Sequence, residues 1–194
     1  MKTWVAMLGV MLLLTGCGNS GNTDLIEPDN SMSESSVTDQ VGEDSFPGTY
    51  TVPDGWIKAD DHSTNGMTFY VEEGHENDEL PDNISISVGD CPYSLDEHTT
   101  FRDAIMRQLT VQLGSSDVKL TGSGSNTAQD YVLYNFTIED TDGTITDMYY
   151  ILKDYGFCLV QATNFTGSEN ESISKAAQSI VDSFVWNEDS QQEE

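Results

Sequence analysis

Residue types able to hold a metal, cradle a phosphate or act as a nucleophile come together in four places in this chain. His75-Glu76-Asn77-Asp78-Glu79, with Glu72 and Glu73 just before it, gathers hard ligands suited to a divalent ion. No His-x-x-x-His or comparable ligand spacing accompanies it, and His62 and His98 stand far off in sequence, so it reads as a solvated acidic loop. Asp140-Thr141-Asp142-Gly143 opens like a calcium loop, which needs a bidentate Glu at the twelfth position. Counting from Asp140, that position is Ile151, inside an apolar run, so a hairpin turn is expected instead. Gly122-Ser123-Gly124-Ser125-Asn126 has the glycines of a phosphate cradle. It lacks the Gly-Lys-Ser/Thr ending, and Thr127 stands where a dinucleotide fingerprint has its third glycine, so it reads as a loop. Cys91 or a serine, with His98 as base, is the remaining nucleophile–base pairing. There is no Gly-x-Ser-x-Gly elbow, and His98 falls in the first turn of a helix, where it reads as a surface residue. The expectation is a chain with no catalytic residues, no metal ligands and no cofactor.

One cysteine stands apart from these. The chain begins Met1-Lys2-Thr3 and runs apolar from Trp4 to Leu14, the layout of a secretory signal and well short of the roughly 20 residues a membrane span needs. The stretch closes on Leu14-Thr15-Gly16-Cys17, which resembles the lipobox of bacterial lipoproteins. The resemblance implies cleavage of residues 1–16, a diacylglycerol on the Cys17 thiol, and anchoring at the extracytoplasmic face of a cell membrane. Two acyl chains on one cysteine suffice for stable anchoring where one gives only marginal binding.

Charge narrows the partners. The chain carries 34 Asp+Glu against 7 Lys+Arg; without Lys2 the mature balance is 6 − 34 = −28. Such a field repels phosphates and anionic head groups, so nucleic acid is excluded as a partner, and a protein or other cationic partner is compatible. The same charge also keeps an exported protein soluble. Beyond Cys17 the cysteines are Cys91 and Cys158, an even number in an exported chain. A disulfide between them would be worth about 4 kcal/mol in the chain-entropy model. Cys158 lies in the apolar run Phe157-Cys158-Leu159-Val160, where a free thiol also packs well, and both readings stand.

These residues need a scaffold. Residues 17–45 are acidic, rich in Gly, Ser, Asn and Asp, and lack Lys, Arg and aromatics, so they are expected to be a flexible linker with a reach of roughly 30 Å. The folded domain is expected over 46–187 and an acidic tail over 188–194. Strands are expected over 49–52, 67–72, 83–89, 129–138, 144–152 and 156–163, with Val118 to Thr121 as an additional one. Ile84, Ile86 and Val88 alternate with Ser85 and Ser87, while 131–138 is apolar on both faces. Ser94 and Glu97 form a capping-box pattern before a helix whose stripe is Phe101, Ile105, Leu109 and Leu113, ended by Gly114. Asp103 and Arg107 stand one turn apart and are expected to pair. A second helix over 169–184 carries Ile173, Ala177, Ile180 and Phe184, with Ser168 or Asn170 as its cap. The sum is an α+β fold: a mainly antiparallel sheet with two helices, either flanking it as an α/β/α sandwich or sharing one face.

Three segments carry a further resemblance: Tyr50-Thr51-Val52-Pro53-Asp54-Gly55-Trp56, Asn83-Ile84-Ser85-Ile86-Ser87-Val88, and Ile180-Val181-Asp182-Ser183-Phe184. In order and spacing they resemble the PsbP-like fold of the photosystem II extrinsic subunit P and of small DcrB-like bacterial lipoproteins. The resemblance implies an antiparallel sheet between helices and mostly non-enzymatic roles as binding or assembly partners. It transfers no catalytic residue, and fold alone does not set function. The expected function is a lipid-anchored binding or assembly module; the alternatives are a hydrolase with a site built from dispersed residues and a divalent-cation-binding surface protein.

Overall fold

Strands that are apolar on both faces require cover on both, and the protein supplies it. The computed structural model describes residues 46–64, 66–114, 117–165 and 171–187. The signal, Cys17, the linker, the acidic tail and the cap candidates Ser168 and Asn170 lie outside the described residues.

Seven strands make one antiparallel sheet: β2 (Trp56–Lys58), β3 (Met67–Glu72), β4 (Asn83–Asp90), β5 (Lys119–Asn126), β6 (Val132–Glu139), β7 (Ile145–Lys153) and β8 (Gly156–Asn164), in the order β2-β3-β4-β8-β7-β6-β5. β1 (Gly48–Thr49) and β9 (Val185–Trp186) form a separate antiparallel pair that ties the two ends of the domain together.

The helices take opposite faces. α2 (Glu171–Ser183) places Ile173, Ala177 and Ile180 against Ile84 and Ile86 of β4, Ile151 of β7 and Val160 of β8. α1 (His98–Leu113) buries Phe101, Ile105 and Leu109 on the other side. There Phe101 meets Tyr150 at 5.5 Å and Phe157 at 5.7 Å, the residues that alternate with the first set along β7 and β8. The fold is therefore an α/β/α sandwich. Burial of a side chain such as Leu109 or Ile180, each 0 % exposed, stabilises by roughly 1.5–3 kcal/mol.

Three local expectations change. The segment expected as a loop at Gly122–Asn126 is the second half of β5, paired without interruption from Lys119↔Glu139 to Asn126↔Val132. The rings of Phe136 and Tyr134 lie across Gly122 and Gly124 and supply the packing that glycine lacks. The strand expected over 49–52 shortens to Gly48–Thr49, because its partner β9 has only two residues. Asp103 pairs with its neighbour Arg102 (Oδ1 to the guanidinium, 2.7 and 2.8 Å) rather than with Arg107.

Candidate functional site

At the β5 margin of the sheet, under the first turns of α1, lies a groove of about 590 Å³. Its α1 wall carries His98, Thr99, Arg102 and Met106; its floor is the Gly-Ser run of β5, and Tyr134 and Phe136 of β6 stand at the back.

The sequence builds this groove by alternation. In an antiparallel ladder paired residues share a face, so Gly122 opposite Phe136 and Gly124 opposite Tyr134 face α1. The space belongs to the glycines. A Cβ on Gly124 would stand 2.9 Å from Tyr134 Cε1, and one on Gly122 would stand 2.8 Å from Met106 Cε. Ser123 and Ser125 pair with Asn135 and Leu133 and project toward the α2 side, away from His98.

α1 begins after a 3-10 turn, Leu95–Glu97, whose entry is fixed by Ser94 N–H donating to the Glu97 carboxylate at 3.2 Å. Asp154 of the β7–β8 hairpin accepts from Leu95 N–H at 2.8 Å. The turn delivers His98 onto Tyr134: the rings stack at 6.0 Å and His98 Nδ1 lies 2.7 Å from the Tyr134 hydroxyl. One turn along, the Arg102 guanidinium sits 6.0 Å from the Tyr134 ring centroid. Burial pushes the Tyr134 phenol above its ordinary value, Arg102 works against that rise, and Asp103 adds to it. The groove thus presents a guanidinium already shared with Asp103, an imidazole and an apolar back wall. These groups can hold a carboxylate or an extended chain.

The other candidates are spent locally. Cys91 and Cys158 are free, buried thiols. Cys158 pairs with Val88 in the β4–β8 ladder, so Cys91 lies three residues further along, about 10 Å at 3.3 Å per residue. A disulfide needs Cα atoms within about 7 Å, and the structure does not form the bridge considered from the sequence. Burial raises both thiols, Cys158 strongly, and Cys91 Sγ donates to Tyr93 O at 3.6 Å rather than engaging His98. In the Asp140–Gly143 hairpin the carboxylates serve the turn: Asp140 accepts from Thr141 N–H at 2.6 Å and Asp142 from Thr144 N–H at 2.9 Å. Gly143 supplies φ +92°, as a tight turn requires. His75 pairs with Asp78 at 2.7 Å on the surface, and among the described residues no three His, Cys, Asp or Glu converge on a metal-sized site. Among the described residues, the two alternatives weighed and disfavoured from the sequence, metal ligation by the acidic loop and a Cys91–His98 pair, are not assembled.

What the sequence alone missed is the His98–Tyr134–Arg102 constellation. One signal could have found it: Gly-Ser-Gly-Ser at period two, facing Tyr134-x-Phe136 at the same period. That pattern predicts rings laid over glycines rather than a loop.

The fold has a known counterpart. The solution structure of cyanobacterial PsbP (CyanoP) from Synechocystis sp. PCC 6803 is similar to this chain with a TM-score of 0.50. The sequences are 12 % identical, and the match covers 72 % of this chain and 86 % of that one. The fold is PsbP-like. A crystal structure from Bacteroides thetaiotaomicron VPI-5482 matches with a TM-score of 0.39 at 13 % identity, and this chain spans 46 % of its length. No family model and no curated protein matches the sequence. At this identity the likeness concerns the fold alone.

Proposed function

We propose that this protein is a lipid-anchored envelope protein acting as a non-enzymatic binding or assembly module, with the α1–β5 groove as its contact surface. The anchor rests on Leu14-Thr15-Gly16-Cys17, and a PsbP-like domain is compatible with a module of this kind. The observation that carries the groove is the glycine pair Gly122 and Gly124: they hold open a recess beneath Arg102 and His98 while Tyr134 and Phe136 close its back. His98 is engaged by a tyrosine rather than by a nucleophile, and the β5 serines face the opposite side of the sheet, an arrangement suited to holding a ligand. The linker of residues 17–45 would let the domain search within roughly 30 Å of the bilayer.

Two measurements test this. Cys17→Ala is expected to move the protein from the membrane to the soluble fraction and to abolish labelling by radioactive palmitate; retention of either property contradicts the anchor. Filling the groove with Thr99→Trp is expected to abolish recovery of a specific partner with detergent-solubilised full-length protein, while Gln178→Trp on the outer face of α2 leaves it intact. Equal recovery from both variants contradicts the groove.

A further inference from the structure

Among the described residues β5 is an edge strand left open. Its inner side bonds to β6, and the bonded pairs can be counted from Thr127 N–H, which donates to Tyr131 O at 2.9 Å. Bonded and non-bonded pairs alternate in an antiparallel ladder, so Ser125, Ser123, Thr121 and Lys119 point their amides at β6. Leu120, Gly122, Gly124 and Asn126 therefore point theirs outward, and no further strand of the sheet lies beyond them among the described residues.

Exposed edges are normally blunted by shortness, proline, bulges or charge. The opposite edge follows this rule: β2 has three residues and comes directly after Pro53-Asp54-Gly55. β5 has eight residues, an unbroken register, no proline and one charge, and that charge is tied down by Lys119 Nζ to Glu139 at 2.9 Å. A long edge without these protections is a template for an incoming strand.

The geometry points to strand addition at β5 by an extended segment of a partner protein that bears a carboxylate on its groove side. This deepens the reading of the α1–β5 groove as a contact surface and rests on it. An added strand lies about 4.8 Å beyond β5, and its alternate side chains project on the same face as Gly122 and Gly124. There they meet Arg102 and His98, with Met106 one turn further along α1. Charge selects the occupant. Arg102 is the one cation that lines the groove; its Nε and one Nη share Asp103 Oδ1, and the guanidinium stands 6.0 Å from the Tyr134 ring centroid, so it is the charge an incoming carboxylate would meet. A second copy is a poor occupant, because each chain brings a formal charge of −27 to the contact. For the same reason the partner is favoured when it is basic outside the paired strand.

The probe is an acetylated and amidated peptide of alternating valine and threonine with one central glutamate, compared with its central-lysine counterpart. Each is added at millimolar concentration to the full chain while amide hydrogen exchange is followed by NMR. The glutamate peptide is expected to slow exchange at Leu120, Gly122, Gly124 and Asn126, with Thr121, Ser123 and Ser125 already slow in the free protein. The lysine peptide binds several-fold more weakly, and Arg102→Glu reverses that preference. Asn126→Pro removes one outward N–H, leaves the bonded pairs with β6 in place, and weakens both peptides. If the peptide shifts His98 and Tyr134 but leaves the outward amides unprotected, strand addition is overturned and the groove reading survives. If neither set responds, both fall. Doubling of the mass without peptide assigns the edge to a second copy and overturns the proposal.

Discussion

Gly124→Ala puts the construction of the groove to a quantitative test. The added Cβ would stand 2.9 Å from Tyr134 Cε1 and 3.2 Å from Cδ1, where ordinary contact begins near 3.4 Å, so the ring must retreat by about half an ångström. Tyr134 is 5 % exposed, packed against Phe136 and held to His98 at 2.7 Å, so it has little room to give. Overpacking of this kind costs about 1–3 kcal/mol, and weakening the phenol–imidazole bond adds about 0.5–1 kcal/mol. Replacing glycine in a strand returns about 0.5–1 kcal/mol. The last two terms cancel, leaving a loss of about 1–3 kcal/mol, or roughly 3–12 °C in Tm for a domain of this size. Thermal unfolding followed by circular dichroism measures it. Ser123→Ala, exposed on the other face, serves as the control and is expected within about 0.5 kcal/mol of the parent. In a double-mutant cycle with Tyr134→Phe the cost is expected to shrink, because the hydrogen-bond part is already gone. An unchanged or raised Tm for Gly124→Ala, or no coupling to Tyr134, would refute the idea that glycine is required beneath that ring.

Three further outcomes follow from other parts of the molecule. Tyr150 is 0 % exposed and its hydroxyl has no hydrogen-bond partner among the described residues, so Tyr150→Phe is expected to leave stability unchanged or to raise it by about 1 kcal/mol in denaturant unfolding; a clear loss would show that the hydroxyl is satisfied. Cys91 and Cys158 should resist maleimide in the native protein, both react after unfolding without reductant, and show no gel shift on reduction; a single mass corresponding to a disulfide would contradict the strand register. The His75 imidazole is raised by its hydrogen bond to Asp78, so its NMR titration midpoint is expected above the ordinary value of about 6.5. Its contribution to stability is fully present below that ordinary value and fades as pH rises through the folded midpoint, and it is small because the pair is exposed. Asp78→Asn should bring the midpoint down, and an unmoved midpoint would remove the pairing.

Much of the fold was legible because its signals are local. The Phe101, Ile105, Leu109 stripe and the Ser94–Glu97 pattern mark α1 within twenty residues, and the alternation of Ile84 and Ile86 with serines marks β4. The Asp140–Gly143 turn declares itself through Asp and Gly alone. The second half of β5 was hidden because its stability comes from elsewhere. Gly122 and Gly124 have poor strand propensity, and what overrides it are the rings of Phe136 and Tyr134, brought in by a ladder that composition does not reveal. The site was harder still. His98 and Tyr134 are 36 residues apart on different elements, and their meeting depends on the 3-10 turn that starts α1 and on the register of β6. The choice between helices on one face or two was open for the same reason, since periodicity shows which residues are buried but not which face of the sheet buries them.

Contact through the α1–β5 groove is the proposed working mode of this domain. Its most direct test is photo-crosslinking in the intact cell envelope, with a photoreactive phenylalanine analogue placed at Thr99 in the groove or at Gln178 on α2. A discrete adduct of higher mass is expected from Thr99, lost with Arg102→Glu, and none from Gln178. Adducts from both positions alike, or none from Thr99, would contradict it.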